Sequence, residues 1–204
     1  MARRPRTWLV AFGSLALLTA VLWFGFDRWV EATQLPDLAP ATSVEVLAHD
    51  GRLLRAFTVD DGIWRLRVAP QSVDKGYLAL LLAYEDRRFY GHGGVDLLAL
   101  ARAGVQSLLN GRLVSGGSTL TMQVARLLEG GTTGALAGKL RQMRVAWALE
   151  RVLSKDEILA LYLQLAPMGG NLEGVRAGSL AWFGREPIGG INRVNARWVI
   201  DSGV

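Results

Sequence analysis

Cysteine is absent from the sequence, and this absence excludes disulfides, thiolate metal sites and cysteine nucleophiles. The chain also has no internal repeat and no low-complexity tract. No segment resembles the nucleophile elbow of a serine hydrolase, so a Ser-His-Asp triad has little support. An S-x-x-K match at Ser72–Lys75 lacks the S-D-N and K-T-G motifs of a penicillin-reactive site, and we interpret it as chance.

The composition of the chain is typical of a globular domain with a moderate positive charge. Its 204 residues suggest one domain with additional segments at its ends. Half of the residues are hydrophobic, which is enough to bury a sizeable core. The net charge of +5 favours anionic partners such as phosphates, membrane surfaces or nucleic acid.

An apolar segment near the N-terminus predicts a membrane anchor. Three arginines lie among the first six residues, and Trp8–Phe26 carries no charge. As a helix this segment would be about 28 Å long, close to the thickness of a bilayer core. The arginines favour a cytoplasmic N-terminus, with the rest of the chain outside. A cleaved signal peptide is the alternative, but this apolar run is longer than usual for one and no clean A-x-A site follows it.

The remaining pattern predicts a small hairpin followed by helices. Short β-prone runs flank Asp50–Gly51, behind a proline-containing linker at residues 31–43. From Ser72 onward the apolar spacing is helical, and Ser154 with Glu157 forms a capping-box pattern. The predicted helices cover about Val73–Tyr84, Val95–Leu109, Ser118–Leu128, Lys139–Leu153, Ser154–Leu165 and Leu172–Phe183. We therefore expect a mainly α domain behind a small N-terminal β-hairpin.

The stretch AYEDRRFYGHGGVD, residues 83–96, ends an apolar helix with two adjacent carboxylates. Glu85 at the helix end is a candidate general base. Arg87 and Arg88 follow it, and ion pairs at a solvated helix end explain the same pattern. His92 lies between glycines, and a lone histidine is more often a structural hydrogen-bonding residue than a catalytic one.

The stretch SGGSTLTMQVAR, residues 115–126, predicts an anion site. Two glycines lead into Ser118 and Thr119 at a helix start, where free backbone N–H groups, hydroxyls and the helix dipole come together. Arg126 would add positive charge two turns later. A further basic group follows, with Lys139, Arg141 and Arg144. An ordinary serine N-cap and a solvated basic face are the simpler alternatives, and a location outside the cytoplasm disfavours nucleic acid as the ligand.

Taken together, these segments resemble glycosyltransferase family 51, the peptidoglycan polymerases of class A penicillin-binding proteins. The first motif of the family, E-D-x-x-F-x-x-H-x-G, is matched by Glu85, Asp86, Phe89, His92 and Gly94. The second, G-G-S-T-x-T-x-Q, is matched by Gly116, Gly117, Ser118, Thr119, Thr121 and Gln123. The resemblance covers about residues 44–187 and is closest to the penicillin-binding protein 1C branch.

The resemblance implies a lysozyme-like helical transglycosylase fold and an inverting transfer between lipid-linked sugars. Lipid II would be polymerised into β-1,4-linked glycan strands with release of undecaprenyl pyrophosphate. Glu85 would accept the proton of the attacking 4-hydroxyl, and Asp86 and His92 would order the loop that carries it. The leaving pyrophosphate needs neutralising charge rather than a general acid. Its implied ligands are Ser118, Thr119, Gln123, Arg126 and Lys139. Arg141 is added on charge alone, and Phe89, Gly117 and Gln142 complete the predicted substrate site.

The sequence departs from the family pattern at several places. Met122 stands where a glutamine is frequent, and the third motif, R-K-x-x-E, aligns with Gly138, Lys139 and Gln142. The tail after Pro187 resembles neither the later helices of the family nor a transpeptidase domain, so we expect a truncated or frame-interrupted product. Two alternatives stay open: a catalytically inactive, membrane-anchored remnant that binds lipid II or a cell-wall partner, and a lysozyme-like peptidoglycan hydrolase.

The expected organisation is a basic tip and transmembrane anchor at residues 1–30, the linker at 31–43, an incomplete domain at 44–187 and a divergent tail at 188–204. The resemblance implies a single-pass protein of the bacterial inner membrane, with the domain on the periplasmic side. Its expected partners are lipid II, the growing glycan chain, the membrane and cell-wall synthesis proteins, but no nucleic acid. No metal-ligand cluster is predicted, and the one cofactor considered is a divalent cation, Mg²⁺ or Mn²⁺, at the pyrophosphate.

Overall fold

A computed structural model of the chain describes residues 4–111, 117–130 and 136–188, with side chains from residue 8 onward. The chain divides into two units, residues 1–34 and residues 35–204. The first unit is helix α1, Arg4–Glu31. Residues Trp8–Glu31 of this helix are long and apolar enough to cross a membrane, with a mean hydropathy of 2.1. The predicted N-terminal apolar helix is therefore confirmed.

The second unit begins with the predicted hairpin. Strands β1, Val44–Leu47, and β2, Leu53–Phe57, pair in antiparallel order. Gly51 provides the positive φ of the turn, and the Asp50 carboxylate accepts a hydrogen bond from the Arg52 N–H at 3.1 Å. The turn chemistry that predicted the hairpin therefore forms it.

A second small sheet was not predicted from the sequence. Strand β3, Trp64–Arg65, pairs in parallel with β4, Leu172–Glu173, far along the chain. The Arg65 guanidinium lies 2.6 Å from the Glu173 carboxylate and fixes this pairing. Leu172 was predicted to begin the last helix, and this was wrong: the helix begins at Val175, because Gly174 packs against the end of the preceding helix with a φ of 85°.

The described part of this unit also contains six α-helices. Five of them precede β4 in the chain, and the last one follows it. They are α2, Lys75–Glu85; α3, Leu97–Asn110; α4, Leu120–Leu128; α5, Leu136–Val152; α6, Lys155–Leu165; and α7, Val175–Phe183. The first three begin two residues later than predicted, because Asp74, Asp96 and Thr119 serve as N-caps rather than helical residues. The capping box of Ser154 and Glu157 is confirmed.

The core of the second unit forms where α2, α4, α5 and α6 meet. Leu81, Val124, Val145, Leu149 and Leu163 are almost completely buried there. Most of α4 is enclosed, because five of its nine residues are buried. This enclosure fixes the start of α4, which carries the second sequence motif, against the end of α2, which carries the first.

Candidate active site

The carboxylate of Glu85 is held by the second motif. Helix α2 ends at Glu85, because Asp86 leaves the helical backbone with a φ of −158°. The Gln123 Nε2 on α4 donates a hydrogen bond to Glu85 Oε2 at 2.7 Å. Glu85 Oε1 is buried and has no hydrogen-bond partner among the described residues. One oxygen is thus fixed, while the other keeps its lone pairs without a partner, and a substrate hydroxyl reaches it only when the groups that cover it move.

Asp86 joins the loop after Glu85 to the start of α4. Its carboxylate, on a residue only 7% exposed, lies 2.9 Å from His92 Nε2 and accepts the Leu120 N–H at 3.0 Å. A buried charge is tolerated when it is paired and hydrogen-bonded in this way. The contacts place Asp86 and His92 where they can order the loop that carries Glu85, as the resemblance implied.

Two residues predicted to bind substrate lie in the interior instead. Phe89 is 1% exposed, and its ring packs edge-on to the His92 ring at a centroid distance of 6.5 Å. Gln142 on α5 is buried as well. We therefore reassign Phe89 and Gln142 to supporting the site. Thr119 belongs with them, because it is 2% exposed and its hydroxyl is engaged by Gly94 and Met122.

Gly94 anchors the far end of the loop to α5. It has a φ of 90°, and a Cβ at this position would lie 2.7 Å from the Ala146 carbonyl oxygen. The Thr119 hydroxyl donates a hydrogen bond to the Gly94 carbonyl at 2.5 Å. Only glycine combines this backbone conformation with so close an approach.

Cations lie at the second motif. The Lys139 ammonium donates a hydrogen bond to the Ser118 hydroxyl. Burial, together with the positive charge of Arg126, lowers the pKa of Lys139. The two cations therefore repel each other, and a bound anion would relieve this repulsion. Arg141, which was predicted on charge alone, instead pairs with Glu129 at 2.6 Å.

A cleft of about 440 Å³ lies beside these groups. Glu85, Ser118 and Thr119 line it. Three arginines that the sequence analysis did not select as site residues also line it: Arg87, Arg88 and Arg102. Arg88 pairs with Asp96, the N-cap of α3, at 2.9 Å. Arg102 was missed because it lies on α3, outside both motifs, and only the packing of α3 brings it to the cleft.

A larger cavity of about 740 Å³, beside Arg67 and Arg176, contains none of the predicted site residues.

Comparison with known proteins identifies the family. A family model described as transglycosylase matches residues 50–195, which is more than half of the chain. The chain belongs to the transglycosylase family. The family predicted from the two motifs is therefore confirmed, and the match extends beyond Pro187, where we had expected the resemblance to end.

The transglycosylase domain is also similar to three penicillin-binding proteins. Penicillin-binding protein 1C of Escherichia coli is 44% identical over 88% of this chain and 23% of its own length. Penicillin-binding protein 1A of Vibrio cholerae is 31% identical over 87% of the chain and 22% of its own length. Penicillin-binding protein 1A of Escherichia coli is 33% identical over 83% of the chain and 20% of its own length. The chain thus spans between a fifth and a quarter of the length of these relatives.

Apart from Glu85 Oε1, the carboxylate oxygens that line the transglycosylase cleft are engaged by protein groups. Asp86 binds His92 and a backbone N–H, Asp96 binds Arg88, and Glu85 binds Gln123. Across the described residues, no group of three His, Cys, Asp or Glu side chains is placed to hold a metal ion. Mg²⁺ is commonly held by one or two carboxylates together with substrate phosphates, so a divalent cation at the pyrophosphate stays a prediction.

Proposed function

We propose that this chain is a peptidoglycan glycosyltransferase that polymerises lipid II into β-1,4-linked glycan strands and releases undecaprenyl pyrophosphate. The observation that carries the proposal is the hydrogen bond from Gln123 to Glu85, which joins a carboxylate with one unpartnered oxygen to the helix that carries Arg126. Family membership and the similarity to penicillin-binding proteins support the same reaction class.

The proposed reaction is one displacement with inversion. Glu85 Oε1 takes the proton of the 4-hydroxyl on the acceptor sugar as that oxygen bonds to the anomeric carbon of the growing chain. The bond from the anomeric carbon to the pyrophosphate oxygen breaks, and its electron pair leaves with the pyrophosphate. Gln123 keeps the carboxylate oriented through Oε2, so that the proton goes to Oε1. One base is sufficient, in contrast to the two carboxylates of glycosidases.

The leaving group is stabilised by charge. Lys139 and Arg126 lie close enough for the charge of Arg126 to lower the pKa of Lys139, and Lys139 binds Ser118. Negative charge develops on the pyrophosphate in the transition state, and prepositioned cations stabilise it there. Thr119 caps α4 at the same place, but the Asp86 carboxylate already accepts the Leu120 N–H at this helix start, so the cations rather than the helix dipole supply the stabilisation. No step of the proposed reaction passes through a metal ion.

The proposed location is the bacterial inner membrane. Helix α1 is suited to cross the bilayer, and the arginines before its apolar span favour a cytoplasmic N-terminus, with the domain on the periplasmic side. A lipid-linked substrate has to be reached at the membrane surface, which an anchored enzyme does. Cell-wall synthesis proteins are further partners under this proposal.

The test is polymer formation from labelled lipid II by the detergent-purified full chain. We expect the wild type to form glycan polymer and Glu85→Gln to lose at least about 100-fold in rate, because it lacks the base. Glu157→Gln, an exposed carboxylate of the α6 capping box, is the matched control and should stay active. Soluble fragments released from preformed glycan would instead indicate a hydrolase. Binding of lipid II without any product would indicate a non-catalytic remnant.

A further inference from the structure

Glu150 on α5 joins two other helices with one carboxylate oxygen. Its Oε1 accepts a hydrogen bond from the Thr121 hydroxyl on α4 at 2.7 Å and one from the Lys155 ammonium on α6 at 2.6 Å. The Glu150 side chain is only 12% exposed, so solvent screens this ion pair weakly. Thr121 belongs to the second motif and lies two residues before Gln123, the residue that holds Glu85.

Lys155 extends the connection to the first motif. Its ammonium lies 4.5 Å from the centroid of the Phe89 ring, within the range of a cation–π contact. Phe89 packs edge-on to His92, and His92 binds Asp86, the neighbour of Glu85. A chain of direct contacts therefore runs from Glu150 to the loop beside the proposed base.

The stem of Glu150 also lies directly under this loop. A Cβ on Gly94 would come within 3.1 Å of Glu150 Cγ, so the two residues are closely packed. Glu150 is nonetheless not among the described residues that line the cleft. It is placed to act on the substrate only through other residues.

We propose that Glu150, through its contacts with Thr121 and Lys155, is a positioning residue of the transferase. It fixes Thr121 and Lys155, and through them both sets of contacts that hold Glu85: the hydrogen bond from Gln123 and the pair formed by Asp86 and His92. This inference rests on the proposed function. Its two consequences are separable, since one concerns turnover and the other concerns only the order of the loop.

The first test compares the turnover of Glu150→Gln with that of the wild type. The amide retains the shape and can still accept from Thr121, but it loses the charge that binds Lys155. We expect kcat to fall at least about tenfold, because small displacements of a base are costly. The KM for lipid II should stay within about twofold, because the cations near Ser118 are untouched. Lys155→Gln should give a similar loss, and the double variant should be little worse than either, because both changes break one ion pair.

The control is Glu157→Gln, which removes an acidic charge from the first turn of α6, next to Lys155, without touching either motif. It should lower the melting temperature while leaving kcat near the wild-type value. Each variant is assayed the same number of degrees below its own melting temperature. If Glu150→Gln keeps the wild-type kcat, or if its kcat falls no more than that of Glu157→Gln, Glu150 has no positioning role.

The second test needs no turnover. Amide hydrogen exchange of residues 86–96 should become faster in Glu150→Gln and stay unchanged in Glu157→Gln, measured on the full chain. Unchanged exchange in both variants would overturn the inference. If the wild type forms no polymer, the proposed function fails, and the exchange experiment still decides whether Glu150 orders the loop.

Discussion

Gln123 is the residue through which the second motif acts on the first. Its side-chain amide donates to one oxygen of Glu85 and leaves the other oxygen without a partner in the described part of the chain. A carboxylate that rotates freely offers either oxygen in any direction, whereas this one offers a defined oxygen. Activity should therefore depend on the groups that hold Glu85 and on those that face the leaving anion.

Replacing Gln123 with leucine removes the hydrogen bond to Glu85 but keeps much of the side-chain volume. A hydrogen bond to a charged group contributes about 1.5–3 kcal/mol, so we expect kcat to fall about 10- to 100-fold. Initial rates of polymerisation measure this loss. Gln106→Leu, on the exposed surface of α3, is the control and should change little. Full activity of Gln123→Leu would show that Glu85 needs no support from α4.

Lys139 gives a prediction for the dependence of activity on pH. Its pKa lies below the ordinary value of 10.5, because burial and the charge of Arg126 both disfavour the ammonium form. As pH rises, Lys139 therefore loses its charge earlier than an ordinary lysine does, and its interaction with a pyrophosphate is lost with it. Lys139→Arg should shift the alkaline loss of kcat/KM to higher pH, because arginine keeps its charge. If kcat/KM falls at the same alkaline pH in Lys139→Arg as in the wild type, a group other than Lys139 is responsible for that loss.

At the scale of elements, the loop between α2 and α3 depends on two glycine positions of different kinds. Gly94 has a positive φ and packs against the backbone of α5, whereas an added Cβ on Gly93 would meet open space. A comparison of alanine variants at the two positions therefore distinguishes the effect of backbone strain and crowding from the general effect of an added methyl group.

Gly94→Ala should destabilise the domain by at least about 1–3 kcal/mol, because the residue would be strained in φ and would crowd Ala146. Gly93→Ala should change the free energy of unfolding by less than about 1 kcal/mol. Chemical denaturation of both variants measures the difference. Equal stability of the two would mean that the loop can move away from α5 without cost.

At the scale of the whole molecule, the chain combines an apolar helix with a folded domain that has its own core. Helix α1 carries exposed apolar side chains along its length, including Leu17, Leu18 and Val21. A helix that is apolar on all sides is suited to a bilayer, where it needs no protein partner. The proposed anchoring function therefore depends on the composition of α1.

Leu17→Lys combined with Leu18→Lys should release the protein from membranes. Each lysine near the middle of a spanning helix costs about 2.5–3.5 kcal/mol by insertion scales. The wild type should remain in the membrane fraction after carbonate washing, and the double variant should shift to the soluble or aggregated fraction. Val44→Lys, at an exposed apolar position of β1, is the control and should remain with the membrane.

The sequence by itself determined the elements whose signals are local. Uninterrupted apolar composition predicted α1, the Asp50–Gly51 turn predicted the hairpin, and Ser154 with Glu157 predicted the start of α6. These signals act within a few residues or one helix length, so no knowledge of packing was needed. The two motifs also predicted the family, because their residues occur in a fixed order and spacing.

Tertiary structure decided what depends on contacts between distant segments. The strand at Leu172 pairs with Trp64, and no local pattern specifies a partner more than a hundred residues away. Phe89 was predicted to contact the substrate but is buried in the core. Arg141 was predicted to bind phosphate but pairs with Glu129. Glu150 carries no recognisable motif at all, and it is significant only because packing places Thr121 and Lys155 at the same oxygen. Spacing along a chain specifies neighbours on one element, whereas burial and ion pairing depend on which elements meet.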